Sequence, residues 1–390
     1  VRENKTGECK VKNIRKNKIV DSEGKIINSE VKSSLRESIL KILSTYDTDN
    51  LSIVTLGSHT ALNILKGAKD EGLKAVCLCR EKERIIYESF GVADEIIKIE
   101  DYSDLLKRDV QKNISELNGI MIPHGSFNAY IGNLEKLKIP IFGNRELMLW
   151  ETEREKQKEW LERANLKLPR TVKKPEDIDG MVIVKFPGAK GGKGYFLATN
   201  YDDFLVKSKE MVRSGLASPE DIENVFIQEY IAGANIYFSF FYSPVFERVE
   251  LIATDRRYES DVDGLGKIPS PIQMKIEPMP TYTVIGNFPV VLRESLLVQA
   301  INAAKRVVEV SKEIAYPGMV GPFCLETVFD ENAEMTVFEI SARIVAGTNT
   351  GIPCSPYSYI LFGENMYMGR RIAREIKLAV SKGILENLIY

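Results

Sequence analysis

The chain has 390 residues, enough for two or three domains of roughly 150 residues each. Hydrophobic residues make up 44% and charged residues 28%, an ordinary globular balance that needs no disulfide framework to bury a core. Lys and Arg total 53 against 55 for Asp and Glu, a net charge of -2. That evenness argues against a dedicated nucleic-acid binder, while leaving room for a local basic pocket. Cysteines stand at 9, 77, 79, 324 and 354 without zinc-site spacing, so a reducing, cytoplasmic setting is expected. No run approaches eighteen apolar residues and no signal-peptide pattern opens the sequence, so neither membrane spanning nor secretion is expected.

Residues 1–33 are rich in Lys, Asn and Glu without an apolar period, and read as a mobile or weakly docked extension. A helical pattern then runs over 34–45. Strand 51–56, helix to 71, strand 74–79, helix 81–90, strand 95–99, helix 103–116 and strand 119–122 follow. Strands alternating with helices at this spacing predict βαβ units and a parallel sheet, with ligands bound beyond the carboxyl ends of the strands. A long polar helix over 146–165 leads into a second region of hairpins: 181–186 with 194–198, 225–230 with 236–242, then 249–254, and 322–329 with 335–341. Helices are predicted at 293–314 and 368–384. The fold class is therefore α/β followed by α+β: a Rossmann-like domain over 34–145, then a body over 146–390 with a flap subdomain at about 170–240.

The chain has only two histidines, and each follows a buried strand beside Ser and Gly, in Gly57-Ser-His59-Thr and Pro123-His124-Gly-Ser126. Both loops belong at one edge of the parallel sheet. Small residues let a ligand approach the backbone there, and imidazole and hydroxyl groups add donors. A phosphate, or a heterocycle attached to one, is the expected ligand; ordinary structural turns are the plainer alternative.

The run Val184-Lys185-Phe-Pro-Gly188-Ala-Lys-Gly191-Gly192-Lys-Gly194 puts lysine at a strand end, followed by a glycine-rich flap with two more lysines. Positive charge and bare backbone N–H groups suit the covering of a triphosphate. The Lys-Ser/Thr ending of a Walker loop is absent. The strand with Gln228 and Glu229 stops at a short linker. That strand end and linker, from Gln228 and Glu229 through Ile231 to Asn235, could meet an adenine edge, although an ordinary edge strand would read alike.

In the hairpin 322–341, a turn centred between Asn332 and Ala333 sets Glu326 opposite Glu339, Leu325 opposite Ile340 and Thr327 opposite Phe338. Opposed carboxylates in an antiparallel pair repel each other, and a hard cation, Mg²⁺ or Mn²⁺, removes the conflict. A register slipped by one, or neutralisation by Arg343 and a lysine, is the alternative.

Strand lysine, glycine flap, adenine linker and carboxylate hairpin occur in the order seen in ATP-grasp ligases. More narrowly, the chain resembles the archaeal formate-dependent ligases of purine biosynthesis. The carrying segments are Thr55-Leu-Gly-Ser-His-Thr60, Pro123-His-Gly-Ser126, Phe142-Gly-Asn-Arg145, Val184-Lys-Phe-Pro-Gly188, Arg257-Tyr-Glu-Ser260, Asn287-Phe-Pro-Val-Val291, Gly321-Pro-Phe-Cys324 and Phe338-Glu-Ile-Ser-Ala-Arg343. They span about 34–385.

The resemblance implies that ATP and formate convert 5-aminoimidazole-4-carboxamide ribonucleotide (AICAR) to its formamido product (FAICAR) through formyl phosphate. It implies that His59, Ser126 and Asn287 hold the ribonucleotide, that Glu259 meets ATP, and that Glu326 and Glu339 hold the metal. Lys185, with Arg343, would neutralise the transferring phosphoryl group, and a homo-oligomer is expected. Two other readings share these residues: a ligase for another carboxylate and amino-nucleotide, and a weakly catalytic nucleotide sensor of the same fold. A dinucleotide-dependent dehydrogenase is disfavoured, because no Gly-X-Gly-X-X-Gly follows the first strand.

Overall fold

The computed structural model describes residues 19–20, 26–27, 29–187, 195–273, 275 and 283–390. Most of the flap, including Gly191 and Gly192, lies outside the described residues, as does most of the expected extension; within the latter, 19–20 pair with 26–27.

Helix α1 (Ser29–Leu43) begins inside the stretch expected to precede the body. The first sheet holds β1 (Ser52–Leu56), β2 (Lys74–Cys79), β3 (Glu95–Lys98) and β4 (Gly119–Met121), all parallel, in the order β3-β2-β1-β4. Every residue of β1 is buried, as a strand covered on both faces by helices requires. The helices between these strands are α2 (Ala61–Asp70), α3 (Glu81–Phe90) and α4 (Arg108–Glu116). The predicted helix 103–116 is divided: Tyr102–Leu106 is a 3₁₀ turn capped by Asp101, and α4 follows. After the short α5 (Phe127–Ile131), the predicted long helix 146–165 is also two, α6 (Arg145–Trp150) and α7 (Arg154–Arg163).

Asn144 and Arg145 rivet this junction. Asn144 Oδ1 caps α6, while its Nδ2 donates to the carbonyls of Ala315 and Gly318. The buried Arg145 guanidinium donates to the carbonyls of Leu134, Leu137 and Ile139.

A second sheet contains β5 (Thr171–Val172), β6 (Val182–Lys185) and β7 (Tyr195–Ala198), and α8 (Tyr201–Arg213) and α9 (Pro219–Glu223) lead to its fourth strand, β8 (Phe226–Glu229). The order is β5-β8-β6-β7, antiparallel throughout. Strand β8 was expected to form a hairpin with the strand after it. Instead β9 (Ala234–Ser243) enters a third sheet; the chain turns into it at Gly233, where a Cβ would fall 2.3 Å from the Phe329 carbonyl oxygen.

That central sheet runs β11 (Val284–Pro289), β10 (Arg248–Glu259), β9, β12 (Gly321–Phe329) and β13 (Met335–Ser341). Between β10 and β11 stand α10 (Ser260–Leu265) and α11 (Ser270–Gln273). The β12–β13 hairpin pairs Leu325 with Ile340 and Glu326 with Glu339, as predicted. A bulge after Glu326 then sets Thr327 against Val337 rather than Phe338.

One face of the central sheet is apolar. Phe238, Phe240, Phe323, Leu325 and Ile340 pack there on Ala300, Ala303, Ala304 and Val307 of α12 (Glu294–Ile314), whose spacing of 3, 4 and 7 makes one helical stripe. The opposite face carries Ser239, Asp255, Arg257, Glu326 and Glu339. Period-two alternation thus forces the polar set toward the first sheet. After α13 (Pro356–Phe362), α14 (Met368–Ser381) returns to pack on α2, where Gly67 and Gly369 bring the two backbones together. His124 and Ile344 form a parallel bridge, and Asn63 Nδ2 donates to the Thr348 carbonyl. These contacts fix the edge of the first sheet against the polar face of the central one.

Candidate active site

The loops after β1 and β4 bring the two histidines together. Their rings stack with centroids 5.5 Å apart and planes 5° from parallel. His124 is fully buried: its Nε2 donates to the Leu56 carbonyl at 3.2 Å, and its Nδ1 accepts from the Ser126 amide at 3.3 Å. Those two bonds require one neutral tautomer. Burial, then His59 and Arg343, hold its pKa well below the usual imidazole range. Both nitrogens of His124, a candidate substrate contact, are engaged within the protein, and its ring stacks on that of His59.

His59 takes a left-handed backbone (φ 53°), and its ring lies stacked on that of His124. Crowding by the protein, then Arg343 and Arg257, push its pKa down to about 3. A Cβ at position 125 would lie 2.3 Å from His59 Nε2, which accounts for Gly125. Ser126 begins α5 with its hydroxyl making no capping bond.

Across the cleft, Glu326 is buried. Its Oε1 accepts from Arg257 Nη2 at 2.6 Å and its Oε2 is buried without a partner. Burial drives its pKa up to about 7; Arg257 opposes this and Glu339 reinforces it. For Glu339, burial works upward, but Arg154, Lys185 and Arg257 together hold it below the usual carboxylate range. Arg154 Nη1 lies 3.4 Å from Glu339 Oε2.

The break between α6 and α7 explains a second contact. Glu151, buried in that break, accepts from Arg343 Nε at 3.0 Å and from the Ala342 amide. One interrupted helix therefore holds both Arg343 and Glu339.

Lys185 ends β6 almost wholly buried. Its Nζ donates to Gln228 Oε1 at 2.9 Å and stands 5.7 Å from the centre of the Phe338 ring. Burial, partly offset by Glu339, lowers its pKa to about 8. A pocket there is lined by Arg154, Gln157, Lys185, Phe226, Gln228 and Phe338. In the adjoining linker the Glu229 and Tyr230 amides are already committed to the Arg170 and Met181 carbonyls. Ile231 is half-buried and Asn235 exposed beside them. Glu259 lies two residues beyond Arg257, its carboxyl pushed up by burial. Asn287, opposite Arg257, is half-buried and donates Nδ2 to Asp255 Oδ2 at 2.7 Å.

His59 thus lies within electrostatic reach of Arg257 and Arg343, which also act on Glu326 and Glu339, and Lys185 lies within reach of the same two carboxylates. Sequence reasoning gave no role to Arg257, Asp255, Arg154 or Glu151. The signal for the first two was an alternating charged run, Asp255-Arg-Arg257-Tyr-Glu259, on one strand. Nothing in sequence marked the other two, which sat in a helix read as merely polar.

Residues 203–390 match the model described as Domain of unknown function (DUF1297), and residues 53–172 match Protein of unknown function (DUF1246). A protein of Archaeoglobus fulgidus called 5-formaminoimidazole-4-carboxamide-1-(beta)-D-ribofuranosyl 5'-monophosphate synthetase is 66% identical over 92% of this chain and 99% of its own length. The crystal structure of an IMP biosynthesis protein PurP from Thermococcus kodakaraensis is 32% identical, with a TM-score of 0.69, over 87% of this chain and 100% of that one. N5-carboxyaminoimidazole synthetase from Staphylococcus aureus, solved with ADP, shares the fold at 18% identity and a TM-score of 0.54, over 77% and 73% of the two chains. Fold and site together define an ATP-grasp ligase. The chain belongs to the family of 5-formaminoimidazole-4-carboxamide ribofuranosyl monophosphate synthetases.

Proposed function

We propose that this protein joins formate to the amine of AICAR at the expense of ATP, yielding FAICAR, ADP and phosphate. The observation that carries the reading is the convergence on Arg257 and Arg343: both guanidiniums act on His59 of the first lobe and on Glu326 of the second. In this reading 34–145 is the acceptor lobe and 146–390 the ATP lobe, with a flap subdomain at about 170–240.

Formate is a poor electrophile because its carboxylate is resonance-stabilised. Transfer of the γ-phosphoryl group to a formate oxygen breaks the bond to ADP and gives formyl phosphate. The amine then attacks the formyl carbon, phosphate leaves, and the amine proton is lost. Lys185 and Arg343 oppose the charge on the transferring group, while His59, Ser126 and Asn287 hold the ribonucleotide. Gln228, Ile231, Asn235 and Glu259 line the path for ATP, and Glu229 supports the linker.

The donor set fits a hard divalent cation. Two carboxylates face each other, one with a buried unpartnered oxygen, and among the described residues no group of three or more His, Cys, Asp or Glu is close enough to complete a shell. Glu326 and Glu339 would hold Mg²⁺ or Mn²⁺ together with phosphate oxygens, and the ion supplies charge neutralisation for phosphoryl transfer. Among the described residues no helix is long and apolar enough to cross a membrane, and a cytoplasmic setting is part of the proposal. A homo-oligomer is too, with the exposed Ile285 and Phe288 of edge strand β11 as candidate contacts.

The test is ADP release with formate, with and without AICAR, before and after chelation of divalent metal. Stimulation by AICAR and loss on chelation are expected. Tight ATP binding without turnover for any carboxylate and amine would instead favour a nucleotide sensor.

A further inference from the structure

Asp255 is 1% exposed, yet carries a carboxylate. Its Oδ1 has no hydrogen-bond partner, and its Oδ2 accepts from Asn287 Nδ2. Gly347 packs directly on the group: a Cβ there would fall 1.9 Å from Oδ1. The 3₁₀ turn Ala346–Gly351 therefore excludes water from it. Burying a carboxylate with so few partners works against stability. The hydrogen bond to Asn287 is the route by which this group acts on the cleft.

The chemistry of that bond has one direction. A carboxylate only accepts, whereas a carboxamide has a donating and an accepting end. Asp255 must therefore draw the NH₂ end of Asn287 inward. The amide is planar, so the carbonyl oxygen is turned away from Asp255. Asn287 is half-buried on edge strand β11, opposite Arg257, and among the described residues no hydrogen bond reaches that oxygen.

We infer that Asp255 is a positioning residue that fixes the Asn287 carboxamide with its oxygen toward the acceptor, so that this position receives an N–H donor such as the carboxamide of the heterocycle and rejects a phosphate oxygen. The inference rests on the ligase reading above and adds a specificity element to it.

The experiment separates acceptor binding from carboxylate activation. Formate- and ATP-dependent formohydroxamate production with hydroxylamine reports activation without the nucleotide acceptor; absence from the wild-type enzyme of both this product and AICAR-stimulated ADP release would remove the ligase reading itself. In Asp255→Asn the inward group can also donate, so Asn287 loses its enforced orientation. The acceptor KM is expected to rise about tenfold, the worth of one hydrogen bond, while hydroxamate production and the KM for ATP and formate hold. The double variant Asp255→Asn with Asn287→Asp reverses the bond, with the amide at 255 donating and a carboxylate oxygen of 287 left facing outward, and should return the acceptor KM to within about threefold of wild type. An unchanged acceptor KM in Asp255→Asn would overturn the inference. So would a parallel loss for all three substrates, or a folded double variant no better than the single one. Should Asp255→Asn fail to fold, Asn287→Ser at the half-exposed position decides: it must raise the acceptor KM, and an unchanged value overturns the inference.

Discussion

Arg257 donates to Glu326 across the one strand between them in the central sheet, Nη2 to Oε1 at 2.6 Å, while its guanidinium lies 4.1 Å from the centre of the Tyr237 ring. Tyr237 stands between them on β9, paired with Asp255 on one side and Glu326 on the other. The pair keeps a buried carboxylate ionisable near neutrality, since burial alone drives Glu326 upward.

Replacing Arg257 by Met removes the opposing cation, so the Glu326 pKa must climb further above about 7. Ionised Glu326 then requires a higher pH. The expected result is an acidic limb of the pH profile of kcat/KM displaced upward by about one unit or more, with weaker apparent Mg²⁺ affinity at pH 7. A profile that stays in place would show that Arg257 does not act through Glu326.

The two histidines give an acid-stability prediction. The His59 pKa is pushed down to about 3 and that of His124 well below its usual value. The unfolded chain takes up protons on both imidazoles as pH falls through about 6.5, while the folded chain does not. Both residues therefore make stability decline as pH drops below that point. The sequence contains only two histidines, so the NMR spectrum offers two imidazole signals. Neither should titrate between pH 5 and 8, and denaturation midpoints should fall on acidification. A ring titrating near 6.5 would contradict the stacked, neutral pair.

Glu151 predicts a coupled effect on Arg343. Glu151→Ala frees Arg343 Nε and should lower kcat about tenfold, whereas Arg343→Met should lower it about a hundredfold as a lost electrostatic donor. If Glu151 works through Arg343, the double variant is no slower than Arg343→Met. Steady-state rates of the three variants decide this, and additive losses would separate the two residues.

Much of the architecture was legible because it is written in local periodicity. The strand 74–79 and the helix 81–90 match the structure to the residue, since apolar spacing and flanking glycines mark their ends. The facing of Glu326 and Glu339 also followed from counting back from a turn. The bulge after Glu326 did not, because an extra residue in a strand leaves no mark in apolar alternation. The helix break at 151–153 was hidden for a similar reason: the polar run Glu151-Thr-Glu-Arg154 fits a solvated helix, and its non-helical backbone is fixed by Arg343 and Glu339, nearly 190 residues onward.

The sequence alone determined which elements form and which residue types gather at their ends, because those depend on neighbours a few positions apart. Tertiary structure decided the partners. It sent β8 and β9 to different sheets, buried His124 against the stacked ring of His59, and set Arg257 against Glu326. Each outcome turns on contacts between segments remote in the chain, where burial selects which polar group must be paired and which stays available to substrate.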